Sequence, residues 1–221
     1  NAGIRGKLSD FNYQISGSNE KSEGLSSAIG ENFDKDGFEK QNINARFGFA
    51  KNNFDASING GFMHHFYNFD DGAFADGTYR GDDNQYFLGA NANFKYNKGK
   101  ITFNSRYSEN ERKVDDLNAG IYQDQYTYSG QNLFLELYNG YQVSDNVYFT
   151  IGAQHENQKL GAESLPYGKT ILEETLSKND TESSNTDVFA NFQFNLKEFH
   201  ADAGARFTDH SKFGDHCVYS I

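Results

Sequence analysis

Hydrophobic residues recur at every second position through most of the chain, and helical spacing is almost absent. Phe11, Tyr13 and Ile15 alternate with Asn12, Gln14 and Ser16. Ile43, Ala45, Phe47 and Phe49 alternate with Asn42, Asn44, Arg46 and Gly48, and Phe54, Ala56, Ile58, Gly60 and Phe62 continue the pattern. Further runs fall at 86–96, 101–105, 133–137, 147–151, 188–194 and 201–207. The pattern predicts about ten strands, each near the ~9–11 residues of a tilted membrane strand. Connections alternate between short and long. Short ones fall at 8–10, 51–53, 97–99, 144–146 and 196–198, and the first four carry the Asn, Asp and Gly of tight hairpins. Long polar ones fall near 20–39, 67–83, 108–128 and 157–184, with a shorter one near 209–214.

In an up-and-down meander this rhythm puts every short turn at one end and every long loop at the other. That is the arrangement of an outer-membrane barrel, with short periplasmic turns, long extracellular loops, one apolar face and one polar face. The expected fold is therefore all-β: an antiparallel up-and-down transmembrane β-barrel, or part of one. A soluble barrel or sandwich gives the same alternation with its apolar face turned inward. Unequal loops and the many small Ala and Gly residues on the apolar side favour the membrane.

Composition narrows the choice. Aromatic residues make up 16% of the chain, which argues against disorder despite only 36% hydrophobic residues. A net charge of −11 disfavours nucleic acid as a partner and suits either cation binding or solubility. Cys217 is the sole cysteine, so no internal disulfide forms. No apolar run approaches a spanning helix. The opening "NAGIRGKLSD" lacks a leader's charged-then-apolar order and reads as the interior of a longer protein.

Three segments carry a family resemblance. "GARFTDHSKFGDH" (204–216) looks like a strand–loop–strand of the vitamin B12 (cobalamin) receptors among the TonB-dependent outer-membrane transporters. "DKDGFEKQNINARFGF" resembles that family's acidic loop and following strand, and "FYNFDDGAF" its next long loop. The resemblance implies a barrel of roughly twenty-two strands with a plugged lumen. On that reading residues 1–221 are one partial barrel domain without plug or C-terminal strands. It also implies outer-membrane lipid around the wall, a corrinoid or other small nutrient as ligand, TonB acting through the plug, and a surface lipoprotein partner.

The acidic stretch "NFDKDGFEK" tests a calcium reading directly. With Gly37 at the sixth position of an EF-hand loop, Asn32, Asp34 and Asp36 fall on ligand positions, but the closing position is Ile43. An EF-hand is excluded. A site shared by two loops stays open, because Asp70, Asp71, Asp76, Asp82 and Asp83 lie on the next long connection. The resemblance implies calcium bound by Asp34, Asp36 and Asp70, ordering the loops that hold the substrate; Asp71 and Asp82 are further candidate ligands. The alternative is a set of solvated loop carboxylates.

Other polar residues are candidates for catalysis or ligand contact. His64 and His65 are consecutive in a strand, point to opposite faces and do not chelate one ion. His210 and His216, beside Asp209 and Asp215, offer the Asp–His pairs of a rim protease or, more simply, fix a turn. Tyr79 and Tyr122 are candidates for ligand contact, and Tyr and Phe near strand ends suit interfacial girdles. Phosphate cradles, nucleophilic Ser arrangements and zinc spacings are absent from the sequence. The expected function is nutrient capture without covalent chemistry. A siderophore or haem receptor, a rim protease and a soluble β-barrel binder are the alternatives.

Overall fold

A computed structural model describes residues 1–26, 28–30, 33–116 and 125–221. It contains β1 (Ala2–Leu8), β2 (Phe11–Ser22), β3 (Phe38–Lys51), β4 (Phe54–Phe69), β5 (Tyr79–Tyr96) and β6 (Gly99–Asp116). These are followed by β7 (Gln125–Ser144), β8 (Val147–Ser164), β9 (Glu173–Leu176), a single-turn helix α1 (Lys178–Thr181), β10 (Ser183–Leu196), β11 (Phe199–His210) and β12 (Gly214–Ser220). They form one 12-stranded antiparallel sheet ordered as in the sequence, with the short β9 set aside to pair with β8. The expected meander is present.

Five two-residue turns close the short end, with register pairs Leu8↔Phe11, Lys51↔Phe54, Tyr96↔Gly99, Ser144↔Val147 and Leu196↔Phe199. In four of them the first turn residue has positive φ: Ser9, Asn52, Asn97 and Lys197. That backbone matches the twist of the paired strands. The second turn residue then ties sideways, as where Asp10 accepts from the Ala50 amide at 2.9 Å and Asn53 from the Lys95 amide at 2.8 Å.

Register pairing carries the apolar face across the whole sheet. One row runs Phe11–Phe49–Ala56–Ala92–Phe103–Leu137–Ala153–Val188–Phe207, mixing large and small side chains. These side chains are not covered: Phe11, Leu137 and Val188 are each more than half exposed, and Ala28 is the one buried hydrophobic among the described residues. A soluble sheet would have to bury such a face, whereas a membrane barrel turns it to lipid.

The opposite face is a ladder of carboxamides and carboxylates. Asn93 donates to Asp55 and Asn91, Asn91 to Asn104, and Asn104 to Glu136. At its far side Asp187, 1% exposed, accepts from Thr208 and lies 3.5 Å from Arg206. These groups partner one another on their own face, so it needs no apolar cover, and Asn185 Oδ1 is the one buried polar side-chain atom without a partner among the described residues.

The apolar band has a measurable height. On β5 it runs from Tyr96, whose ring stacks on Tyr141 near the turns, up to Tyr86. Ten residue steps at ~3.3 Å, tilted by ~40°, give ~25 Å, the height of the lipid-facing band in outer-membrane barrels. Above it the outward rows become polar, beginning with Tyr86–Glu109–Gln131–Lys159.

The strands do not stop there, and this corrects the expected lengths. β5, β6 and β8 have 18 residues each and β7 has 20. Hairpin pairing continues above the band, where both faces are polar and alternation disappears. Stretches read as loop are therefore upper strand. The described long connections shrink to 23–37, 70–78, 165–182 and 211–213.

Candidate functional site

Loops 23–37 and 70–78 lie against each other at the long-loop end. The Ile29 amide donates to the Ala73 carbonyl at 2.7 Å, and the Asn68 amide to the Gly37 carbonyl at 3.0 Å. Asp70 sits at the junction. Its Oδ2 accepts from the Ala28 amide at 2.6 Å and from Ser26 Oγ at 3.2 Å, and its Oδ1 from the Gly77 amide at 3.1 Å. One carboxylate thus pins both loops.

Two glycines let each loop fold tightly on itself. Gly24 has φ +68°, and a Cβ there would lie 1.8 Å from the Asp36 carbonyl oxygen. A Cβ on Gly77 would fall 2.5 Å from the Asp71 amide nitrogen. Gly37, the glycine that made the sequence resemble a calcium loop, is not in the left-handed region. The conformational demand falls on Gly24 instead.

Of the five candidate ligands, the structure brings three together. Asp34, Asp36 and Asp70 each offer a carboxylate oxygen, and these oxygens lie within 4.8 Å of one another. Two oxygens bound to one calcium at 2.3–2.6 Å are at most ~5 Å apart, so the spacing suits a single ion. The donor set is all hard oxygen, which suits calcium and not zinc or copper. Asp76 adds to the local negative charge. Its carboxyl is held above the usual range by partial dehydration, then by the charge of Asp34 and, further down, that of Asp70.

The other two candidates lie elsewhere. Asp71 is exposed beside Asp70 and outside the cluster. Asp82 belongs to β5, because hairpin pairing of β4 and β5 continues to Phe69↔Tyr79. It faces outward and meets His64 Nε2 at 3.1 Å. Asp83, on the opposite face, forms a two-point pair with Arg112 at 2.8 and 2.7 Å. His65 shares that inner face and packs on Tyr67 with ring centroids 4.8 Å apart. The two histidines do point apart. Asn32 and Tyr122 lie outside the described residues.

His210 is a turn-fixing residue. Its Nδ1 accepts from the Lys212 and Phe213 amides at 3.1 and 3.3 Å, its Nε2 lies 3.3 Å from Ser183 Oγ, and its ring packs on Phe213. With Nδ1 closing the β11–β12 turn and Nε2 against Ser183 of β10, this histidine is poorly placed to act as a base. Ser26 and Gly24 went unnoticed in the sequence because neither belongs to an acidic motif. Only the folded loop pair shows their part in the site.

No protein-family model matches the sequence, and no curated protein matches it. Solved structures do. The outer membrane transporter YddB from Escherichia coli superposes with TM-score 0.73 at 8% identity, over 98% of this chain and 34% of that one. The copper transporter OprC gives 0.71 at 10%, over 99% and 38%. A mutant of the ferric enterobactin receptor PfeA from Pseudomonas aeruginosa gives 0.67 at 14%, over 97% and 37%. The fold is that of an outer-membrane transporter's barrel wall. The chain spans about a third of the length of each of these proteins, which are transporters and receptors rather than enzymes.

Proposed function

We propose that this chain forms part of the wall and outer rim of a TonB-dependent transporter in the outer membrane, and that its cargo is cobalamin or another corrinoid. The observation that carries the reading is the convergence of Asp34, Asp36 and Asp70 from two loops at the long-loop end. These positions are the ones that the resemblance to cobalamin receptors assigns to calcium. Asp34 and Asp36 from one loop and Asp70 from the next would hold the ion, and the ion would supply the positive charge that ties the loops. The three hydrogen bonds to Asp70 keep that carboxylate oriented beforehand. A plug elsewhere in the protein would couple the wall to TonB. A surface lipoprotein would sit on the rim, where Phe74, Tyr167 and Phe213 are exposed.

The test is cyanocobalamin binding by the full-length receptor, with calcium and with chelator. Affinity rising with calcium supports the reading. Equal affinity in both, or no binding, overturns it. A siderophore receptor is the second reading, favoured by the likeness to PfeA and to the siderophore receptor PirA from Acinetobacter baumannii, which superposes with TM-score 0.65 at 13% identity. Calcium-independent binding of a ferric siderophore would establish it.

A further inference from the structure

The upper wall has a cavity on its outward face, turned away from the lumen. Strand parity sets its side. Lys21 on β2, Glu39 on β3, and Phe66 and Asn68 on β4 point the same way as Ile15, Ile43 and Phe62 of the apolar band below. With Glu23, Lys35 and Gly37 of the first long loop they line a volume of about 400 Å³, within the range of small-molecule sites.

Height selects what surrounds it. The last apolar row on these strands is Ile43–Phe62–Tyr86, and the row Lys21–Glu39–Phe66–Asp82 lies two outward rows above it. Four residue steps at ~3.3 Å, tilted by ~40°, put the cavity ~10 Å above the hydrocarbon. Phospholipid headgroups fill only about 5–8 Å on each side of the core. A headgroup that carries sugars reaches farther.

The lining has matching chemistry. Phe66 is the apolar wall; Arg80 approaches its ring from β5, 5.6 Å from the centroid, whereas the cavity opens on the β3 side. Around the rim, cations and anions stand in exposed pairs, Lys21 with Glu39 at 3.9 Å and Lys35 with Glu23 at 3.0 Å. Such pairs contribute about 0–1 kcal/mol, so a ligand displaces them easily. Two ammonium groups donate, two carboxylates accept, and their formal charges cancel. An anionic phospholipid gains little from a rim without net charge, and an alkyl chain meets too many polar groups. A sugar ring suits it, with its C–H face on the aromatic ring and its neighbouring hydroxyls both donating and accepting.

We propose that this outward cavity binds a sugar ring in the headgroup of an outer-leaflet glycolipid. Phe66 is the stacking platform, and Lys21, Lys35, Glu23 and Glu39 are the hydroxyl partners. The proposal rests on the outer-membrane placement of the wall and not on which cargo the lumen carries.

The experiment titrates the full-length receptor in detergent and follows binding by native mass spectrometry. The probes are lipopolysaccharide with its core oligosaccharide, phosphatidylglycerol, and the same oligosaccharide stripped of its acyl chains. Wild type is compared with Phe66→Ala and with Lys21→Ala/Lys35→Ala. Wild type is expected to prefer lipopolysaccharide to phosphatidylglycerol by about tenfold. Each variant should bind lipopolysaccharide about tenfold more weakly and phosphatidylglycerol as before. The free oligosaccharide should bind about 100-fold more weakly than lipopolysaccharide, because acyl chains on the apolar band raise the local concentration of the sugar. Should Phe66→Ala fail to fold, the exposed lysine pair carries the test. Equal affinity for the two lipids, unchanged lipopolysaccharide binding in a folded variant, or a loss shared by both lipids overturns the proposal. Free oligosaccharide binding as tightly as lipopolysaccharide overturns it as well. Cyanocobalamin binding by the same preparations reads the cargo separately. If it is absent while the lipid preference holds, the cargo reading alone fails; in the opposite case the cavity alone fails.

Discussion

The lower and upper halves of this wall are built from the same strands yet solve different problems. In the lower half the outward face is dominated by apolar or small residues, as in the row from Phe11 to Phe207, with Asn139 and His155 as polar exceptions, and the inward face carries the polar ladder from Asp55 to Glu136 beside Phe134 and Phe189. In the upper half both faces are polar or aromatic, and charged side chains pair across strands, as in Arg112–Asp83, Arg80–Asp115 and Lys21–Glu39. Lipid dictates the first pattern, because an unpaired charge facing hydrocarbon is costly. Water relaxes that demand in the second, which leaves side chains free for recognition. The difference teaches where to look for function in such a wall: above the row where alternation fails.

The largest effect expected is also the sharpest test of the boundary. Leu137→Arg puts a cation in the middle of the apolar band and should cost ~2–4 kcal/mol in the full-length protein, read by denaturant unfolding in lipid vesicles. Thr127→Arg, on the same strand and the same face but above the band, should stay within about 0.5 kcal/mol. Equal losses would erase the distinction between the halves.

Next in size is the loop junction. Asp70→Asn removes a charge from the candidate ion site and weakens the hold on both loops, so calcium affinity should fall about 10- to 100-fold by calorimetric titration. An unchanged affinity would show that the three aspartates are merely neighbours. Gly24→Ala is expected to cost about 1–2 kcal/mol for the left-handed backbone alone. Its contact with the Asp36 carbonyl should displace that loop and lower calcium affinity too. The smallest effect belongs to the lower half. Lys197 adopts φ +54° in a tight turn, so Lys197→Gly should stabilise the barrel by roughly 0.5–1 kcal/mol.

The lower half was legible in the sequence because period-2 alternation and turn residues are both local signals. All five short turns fall at the expected places, four of them at Asn, Asp or Gly and the fifth at Lys197–Glu198. The upper half was not, because a strand that is polar on both faces looks like a loop. Asp82 illustrates this: its sequence neighbours suggest an acidic loop, whereas pairing with β4 and β6 makes it strand. The meeting of Asp34 and Asp36 with Asp70 was anticipated only through the family resemblance. Spacing along the chain says nothing about which of several loop carboxylates converge. The inner-face alignment of Tyr67 with Tyr126 is hidden for another reason. Tyr67 and Tyr126 are far apart in sequence, and only the register of four strands sets them in one row.

The boundary has a mechanical consequence. Glu109 and Lys159 stand in the outward row directly above Tyr107 and Leu133, and on β8 the polar Asn157 and His155 already enter the two rows beneath. Sliding the wall down by one outward row, ~6.6 Å along a strand, would drag both charges into hydrocarbon. Sliding it up would expose the stacked tyrosines at the lower edge to periplasmic water. The wall therefore floats at a fixed draught, like a hull with a painted waterline. Its acidic loops are thereby held at a constant height above the apolar band.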